Sequence, residues 1–172
     1  MLIRKIELYE WQRYRVLRLS ALSDAPDAFG STFEAESTRG DDEWRTRAEV
    51  AAAARDRVLF VLVDEDDVWH GMAGGYAPGE FPADVDVISM WVSPDLRGQG
   101  HGQALLGAVI GWARDRGDRT VGLWVTEGNG AAQRLYARCG FVSDGQRQPL
   151  PSNPARQEIR MLLTPTDAGA PR

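Results

Sequence analysis

The most constraining feature of this sequence is the stretch VSPDLRGQGHGQALL, residues 92–106, in which three glycines lie between an apolar run and a predicted helix. Gly98, Gly100 and Gly102 each carry a cost in conformational entropy, and a plain turn into a helix does not need all three. Glycines here let successive backbone N–H groups approach an anion, and the helix N-terminus adds free donors and partial positive charge. The stretch therefore predicts a phosphate-binding loop.

Two well-known phosphate loops do not fit this pattern. A Walker A loop needs Lys and then Ser or Thr after its last glycine, whereas Gly102 is followed by Gln103 and Ala104. A dinucleotide-binding loop needs Gly or Ala where Gln103 stands. It also needs an acidic residue at the end of the next strand, TVGLWVT, which has none. Neither a nucleoside triphosphate nor a dinucleotide is the expected ligand.

Charge and cysteine content narrow the class of protein further. The net charge is -5, which argues against a nucleic-acid partner because such binding relies on surplus Lys and Arg. Cys139 is the single cysteine and His70 and His101 are far apart in sequence, so we expect no disulfide, no metal and a cytoplasmic location. No apolar run has the length of a membrane span, and we expect no membrane partner.

Hydrophobic periodicity predicts one α/β domain over residues 1–165, followed by a frayed tail at residues 166–172. The expected order is strand, two helices, three strands, helix, strand, helix and two strands. One mixed sheet of seven strands with helices on both faces accommodates this order. Pro26 and Gly30 interrupt the pattern after the first helix, so we expect residues 25–38 to form an irregular rim over a substrate.

Two motifs carry a resemblance to a known family. The stretch DVISMWVSPDLRGQGHGQALL, residues 86–106, resembles the acetyl-CoA signature of the GNAT superfamily of N-acetyltransferases, in which two residues separate an Arg or Gln from Gly-x-Gly or Gly-x-Ala. The stretch NGAAQRLYARCGF, residues 129–141, resembles the second signature of that family and follows the first signature along the chain, as in the family. The resemblance implies a GNAT-like fold, with a mostly antiparallel sheet that splays between strands four and five.

Acetyl-CoA is the cosubstrate that the resemblance implies. The glycine loop and the Arg97 guanidinium would hold its pyrophosphate, and backbone groups of the strand before the loop would hold its pantetheine arm. One N–H group of that strand would polarise the thioester carbonyl. The implied acetyl-CoA-binding residues are Met90, Trp91, Val92, Arg97, Gly98, Gln99, Gly100, His101, Gly102, Gln103, Asn129 and Tyr136.

The resemblance also implies catalytic residues. Tyr136 matches the family tyrosine that lies near the sulfur as general acid, although a hydrogen-bonding role or plain core packing stays open. Where ribosomal-protein N-terminal acetyltransferases carry a glutamate, this chain has Trp124. Asp86 or Glu127 is the candidate general base, and for each of them a solvated charge at a strand end is an equally good interpretation.

The implied reaction is direct transfer of an acetyl group to a primary amine, and we expect a small-molecule amine. Acetylation of a protein N-terminus or lysine stays open and would need an open groove, as does a noncatalytic acyl-CoA-binding module. Dimers are common among similar proteins, so a homodimer stays open too. Acceptor contacts are expected from residues 25–38, 74–84 and 144–156. Four aromatic residues are candidates to line the acceptor pocket: Phe29, Phe33, Tyr76 and Phe81.

Overall fold

Seven strands form one sheet in the computed structural model, which describes residues 1–164. The strands are β1 (Leu2–Lys5), β2 (Arg57–Val63), β3 (Trp69–Tyr76), β4 (Val85–Val92), β5 (Val121–Thr126), β6 (Val142–Leu150) and β7 (Asn153–Leu163). The helices are α1 (Trp11–Asp24), α2 (Phe33–Ser37), α3 (Asp41–Ala53), α4 (His101–Arg116) and α5 (Gly130–Arg138). The sheet order β1-β2-β3-β4-β5-β7-β6 confirms the predicted mixed sheet. The tail predicted at residues 166–172 lies outside the described residues.

β4 and β5 diverge, which confirms the splay that the family resemblance implies. The other neighbouring strands are antiparallel, whereas β4 and β5 are parallel and pair only at Val85 with Val121 and at Asp86 with Gly122. Beyond Asp86 the edge of β4 no longer faces a partner strand, so its backbone N–H and C=O groups can meet a ligand instead. The divergence opens a gap in the middle of the sheet.

A β-bulge in β4 lies beside this gap. Met72 of β3 is opposite Trp91, but Gly74 is opposite Ile88, so β4 contains one residue more than β3 over the same interval. Ser89 accommodates the extra residue with a φ of 55°, in the left-handed region. Because a bulge bends its strand, it contributes to the separation of β4 from β5.

Alternating side chains along β2 show that both faces of the sheet are buried. Residues 58, 60 and 62 pack in the core beneath α4 and α5, and residues 59, 61 and 63 pack in the core beneath α1 and α3. We call these two sides the α4 face and the α1 face. Helices therefore cover both faces of the sheet, as predicted.

The segment after α1 is more regular than the sequence pattern predicts. It contains a 3-10 turn at Pro26–Ala28 and the short helix α2. Thr32 caps α2, since its hydroxyl oxygen accepts a hydrogen bond from the Ala35 N–H at 3.1 Å. A five-residue helix is too short to produce a helical period in the sequence, which is why periodicity did not reveal it.

Residues 1–164 contain neither a membrane-spanning helix nor a cluster of metal-binding side chains. Within residues 1–164, every helix is too short or too polar to cross a bilayer. Over the same residues, His, Cys, Asp and Glu side chains do not gather in groups of three or more that could hold a metal ion.

Candidate active site

A cavity of about 960 Å³ occupies the gap between β4 and β5. Its wall includes Gly98, Gly102 and Leu135 from the α4 face, and Arg18 and Arg47 from the α1 face. Because residues from both sides of the sheet line one space, the cavity passes through the sheet. Its volume is in the range of small-molecule binding sites.

The glycine loop forms the α4-face end of the cavity. Gly98 and Gly100 have φ angles of 77° and 87°, and a Cβ at either position would meet no atom within 4 Å. Both positions therefore combine a left-handed backbone with open space beside it. α4 begins at His101, and the first helical hydrogen bond runs from the Ala104 N–H to the Gly100 carbonyl at 3.0 Å. Among residues 1–164, the N–H groups of residues 101–103 find no backbone acceptor and remain free donors at the positive helix end.

The remaining loop residues divide into two groups. Gly102 and Gln103 line the cavity together with the two left-handed glycines, whereas Gln99 and His101 lie outside its wall. The Gln99 amide donates to a backbone carbonyl of the preceding turn at 3.0 Å. A Cβ at Gly102 would lie 3.1 Å from Cδ2 of Leu135, so a glycine here allows α4 to approach α5 closely.

Arg97 is anchored to the protein beside the loop. Its Nε donates to the Val92 carbonyl at 2.9 Å, and its Nη2 pairs with Asp24 at the end of α1. Trp91 Nε1 donates to the same Asp24 carboxylate at 2.9 Å. Burial alone would raise the pKa of Asp24, but these hydrogen bonds and the Arg97 charge lower it. Two nitrogens of the Arg97 guanidinium therefore already have partners within the protein, while the side chain remains 49% exposed.

The second signature contributes Asn129 and Tyr136 to the cavity wall. Asn129 caps α5, with its Oδ1 accepting from the Ala132 N–H at 3.2 Å. Tyr136 is 7% exposed and packs against Phe141 with ring centroids 6.1 Å apart. Burial raises the pKa of the Tyr136 hydroxyl, and the neighbouring Cys139 adds to the effect. The phenol therefore stays protonated at neutral pH.

The two predicted bases have different surroundings. Asp86 lines the main cavity, where its Oδ1 lies 2.6 Å from Nη2 of Arg160 and its Oδ2 accepts from the Glu80 N–H at 2.7 Å. Glu127 pairs with Arg147 at 2.8 Å and lines a smaller cavity of about 290 Å³, whose wall shares Ala25, Ala28, Thr126 and Asn129 with the main cavity. The structure thus brings Asp86, and not Glu127, into the wall of the main cavity.

Glu158 is a cavity residue that the sequence analysis did not identify. It lies on β7, is 7% exposed, and accepts a hydrogen bond at Oε1 from Gln148 Nε2 at 2.6 Å. Burial raises the pKa of Glu158, despite the opposing effect of that hydrogen bond. A buried carboxyl group with a raised pKa in a cavity is suited to proton transfer. The available signal was the alternation of charged and apolar residues in the strand sequence EIRML.

Residues 25–31, which we call the roof, close the α1-face end of the cavity. The Thr126 hydroxyl donates to the Asp27 carbonyl at 2.6 Å, and the Ser152 hydroxyl donates to the Phe29 carbonyl at 2.5 Å. Asn153 Nδ2 also donates to Asp27 Oδ1 at 3.1 Å. These bonds tie the roof to the end of β5 and to the turn between β6 and β7.

The aromatic residues proposed for the acceptor pocket are not all near the cavity. Phe29 is buried and lines it. Phe33 and Tyr76 lie outside its wall, and Phe81, also outside, is 89% exposed. Phe29 is therefore the one of the four that the fold brings to the candidate site.

The glycine loop fits the diphosphate of acetyl-CoA. Open space beside two left-handed glycines and free N–H donors at a helix N-terminus are the features that such a group requires. The sequence model of the Acetyltransferase (GNAT) family matches residues 19–141 of this sequence. The chain belongs to this family.

Two curated relatives of this GNAT chain are longer than it is. It is 29% identical over 163 residues to a mycothiol acetyltransferase of Cellulomonas flavigena, a match covering 92% of the chain and 41% of that protein. It is 34% identical over 123 residues to a mycothiol acetyltransferase of Stackebrandtia nassauensis, covering 72% of the chain and 38% of that protein. The chain thus spans less than half the length of either relative.

Solved structures share the GNAT fold over nearly the whole chain. A Salmonella typhimurium protein in complex with its cofactor acetyl-CoA has a TM-score of 0.75 and 21% identity, covering 100% of this chain and 98% of its own. The ribosomal-protein-S5-alanine acetyltransferase of Vibrio fischeri has a TM-score of 0.78 and 15% identity, covering 97% and 94%. These likenesses confirm the predicted GNAT-like fold.

Proposed function

We propose that this chain transfers an acetyl group from acetyl-CoA directly to a primary amine, and that the amine belongs to a small molecule. The observation that carries the proposal is the cavity through the sheet. Its α4-face end is a glycine loop with free N–H donors, and its α1-face end contains the buried carboxyl group of Glu158 and the half-buried one of Asp86. The first suits a diphosphate and the second suits an amine.

Residues on the α4 face would hold acetyl-CoA. The N–H groups of the glycine loop and the remaining donors of Arg97 bind the diphosphate, and the free edge of β4 at residues 90–92 binds the pantetheine arm. When bound, acetyl-CoA supplies the acetyl group as a thioester. A backbone N–H near the bulge at Ser89 polarises its carbonyl, an effect typically of about 3 kcal/mol for such a donor.

Tyr136 is the proposed general acid. Direct transfer joins the amine nitrogen to the acetyl carbon and breaks the carbon–sulfur bond, so the sulfur leaves as a thiolate that takes up a proton. The position of Tyr136 in the cavity wall supports its role as the donor of that proton. Burial raises the pKa of the hydroxyl, which keeps it protonated at neutral pH but makes it a weaker proton donor to the thiolate, so a hydrogen bond that stabilises the sulfur without full proton transfer stays open.

A carboxylate receives the proton that the amine loses. Of the candidates, Glu158 has the strongest support, since it lines the cavity and burial raises its pKa toward the range that a base requires. Asp86 is the second candidate, although Arg160 and the Glu80 N–H already engage its two oxygens. Glu127 is the weakest, because it lines the smaller neighbouring cavity and not the main one.

The roof favours a small acceptor over a polypeptide. A protein N-terminus or lysine would need an open groove in which an extended chain can lie. Three hydrogen bonds instead tie the roof to the far side of the cavity. This closure supports a small-molecule amine and disfavours the protein substrate.

Thiol release from acetyl-CoA, followed over a panel of primary amines and short peptides, tests the proposal. Turnover with small amines supports it, and turnover restricted to peptides replaces it with protein acetylation. Calorimetric titration with acetyl-CoA runs in parallel. Binding of the cofactor without turnover of any acceptor would make the chain a noncatalytic acyl-CoA-binding module.

The cellular location and the oligomeric state of the protein stay predictions. The cytoplasmic location is supported by the single cysteine, and the homodimer by the family resemblance alone. Light scattering of the purified chain measures the oligomeric state directly.

A further inference from the structure

A cluster of two arginines and one glutamate borders the cavity on the α1 face. Arg18 of α1 donates to Glu36 of α2 from Nε at 3.1 Å and from Nη2 at 2.7 Å. Arg47 of α3 donates to the other Glu36 oxygen from Nη1 at 2.9 Å. Both arginines line the cavity, while Glu36 is 2% exposed beneath them. We call these three residues the arginine cluster.

The arginine cluster contains two positive charges and one negative charge. Two guanidinium groups share a single carboxylate, and within residues 1–164 the buried Nη1 of Arg18 makes no hydrogen bond. Arg18 is 5% exposed, so water does not solvate it freely. A buried cation without a full set of partners is costly, and an anionic group in the cavity would supply the missing one.

Carboxyl groups on the same face of the sheet form the opposite pole of the cavity. Asp86, Glu158 and Glu80 all line it. Arg160 Nη2 lies 2.6 Å from Oδ1 of Asp86 and donates to the backbone carbonyl of Glu80 at 2.7 Å. The registers place Glu158 opposite Thr126, and Arg160 opposite Trp124, on the side of the sheet away from α4. Three carboxyl groups against one cation attract a positively charged group, such as a protonated amine.

We propose that the acceptor is a free amino acid, with its carboxylate bound by Arg18 and Arg47 and its amine directed toward Glu158. This inference rests on the proposed acetyltransferase function and names the substrate class of the same site. The cavity wall also contains Phe29, which lies beneath the Arg18 guanidinium at 4.6 Å from the ring centroid. Apolar wall of this kind favours an amino acid with an uncharged side chain.

The diphosphate of acetyl-CoA does not account for the arginine cluster. The glycine loop lies on the α4 face, whereas α1, α2 and α3 bring the arginine cluster to the α1 face. The roof lies on the same side as the arginine cluster and closes over the acceptor end. An anion at the arginine cluster therefore belongs to the second molecule that enters the cavity.

The test compares matched acceptors that differ only in the carboxylate. Neutral amino acids with different spacings between amine and carboxylate are assayed beside their amides and their decarboxylated amines, by thiol release from acetyl-CoA. The expected result is that kcat/KM for at least one amino acid exceeds that for its amide by about 10-fold to 100-fold, the usual size of a charged hydrogen-bonded contact. Calorimetry with the same pairs, in the presence of coenzyme A, measures binding without turnover.

Arg47→Gln tests whether Arg47 is responsible for the preference for the acceptor carboxylate. Arg18 alone still holds Glu36 through several hydrogen bonds in this variant, and urea unfolding verifies that the chain is folded. The preference for the amino acid over its amide should fall at least about 10-fold. Arg45→Gln is the matched control, because Arg45 is on the same helix, pairs with the exposed Asp42 and lies outside the cavity wall.

The outcomes separate this inference from the function on which it rests. Amides or plain amines that are better acceptors than the amino acids overturn the amino-acid assignment and leave the acetyltransferase function intact. An unchanged preference in folded Arg47→Gln also overturns the assignment. Cofactor binding without acetylation of any acceptor overturns the function and the assignment together.

Discussion

Asp86 and Arg160 form an ion pair at the floor of the cavity, with Oδ1 of Asp86 2.6 Å from Nη2 of Arg160. Arg160 is fully buried, so no solvent replaces a lost partner. Asp86→Asn should therefore lower the free energy of unfolding by roughly 3 kcal/mol, the lower end of what breaking a buried pair costs. Urea unfolding at neutral pH measures the change, and Asp115→Asn on exposed α4 surface is the control. A change below about 1 kcal/mol would contradict the structural role of the pair.

Tyr136→Phe should lower kcat at least about 10-fold and leave the affinity for acetyl-CoA nearly unchanged. Phenylalanine keeps the buried ring contact with Phe141 and removes only the hydroxyl. Steady-state kinetics and calorimetry measure the two effects separately. Tyr9→Phe is the control, since Tyr9 is 65% exposed. Unaltered kcat in folded Tyr136→Phe would remove the general-acid assignment.

Gly100→Ala should weaken acetyl-CoA binding at least about 10-fold. Alanine at a φ of 87° costs roughly 1–2 kcal/mol of backbone strain and places a methyl group in the space beside the free N–H donors. Gly107→Ala on exposed α4 is the control and should stabilise the protein by about 0.5–1 kcal/mol, because that glycine has helical geometry and open space around it. Equal cofactor affinity in the two variants would refute the loop assignment.

Glu158→Gln should lower kcat by about 100-fold and change the pH dependence of kcat/KM. A base acts when deprotonated, and burial raises the pKa of Glu158, so wild-type kcat/KM should increase as pH rises through that raised pKa. The variant should lose this limb of the profile. Glu49→Gln, on the exposed surface of α3, should retain it. A profile that keeps the limb in Glu158→Gln would transfer the role to Asp86.

Glu36→Gln should destabilise the protein by roughly 3 kcal/mol at pH 7, because two arginines lose their shared carboxylate. Burial would raise the pKa of Glu36, but its hydrogen bonds and ion pairs with Arg18 and Arg47 lower it from 4.5 to about 2. The carboxylate therefore stabilises the fold above pH 4.5, and this contribution is lost as pH falls from 4.5 toward 2.

Unfolding free energies at pH 7 and at pH 3 test this window. The difference between wild type and Glu36→Gln should shrink at the lower pH. Glu34→Gln is the matched control, since Glu34 is on the same short helix and is exposed. A difference that is the same at both pH values would show that the Glu36 charge is not what stabilises the arginine cluster.

Local patterns in the sequence predicted the fold well. The order of the strands and of every helix except α2 followed from periodicity, and the helix α4 ends at Gly117 with a φ of 88°, as glycine at that position predicts. The loop glycines predicted a bare helix N-terminus because backbone geometry there depends on neighbouring residues alone. Features that depend on a few neighbouring residues could therefore be predicted from the sequence.

The acceptor end of the cavity could not be predicted in the same way. Arg18, Glu36 and Arg47 come from three helices, and their pairing depends on how those helices pack. Glu158 enters the cavity because β7 lies between β5 and β6, an order that strand periodicity does not specify. The bulge at Ser89 shifts the faces of β4 without any glycine to mark it. Contacts across distant segments decided each of these features.

The passage through the sheet places the two proposed reactants at opposite ends of one cavity. A cofactor held at the glycine loop leaves the end under the roof to the acceptor, so neither molecule has to displace the other. The two ends are also built from different parts of the chain. New acceptor preferences can arise by changes in the first three helices and in β7 while the glycine loop that holds the acyl donor is left untouched.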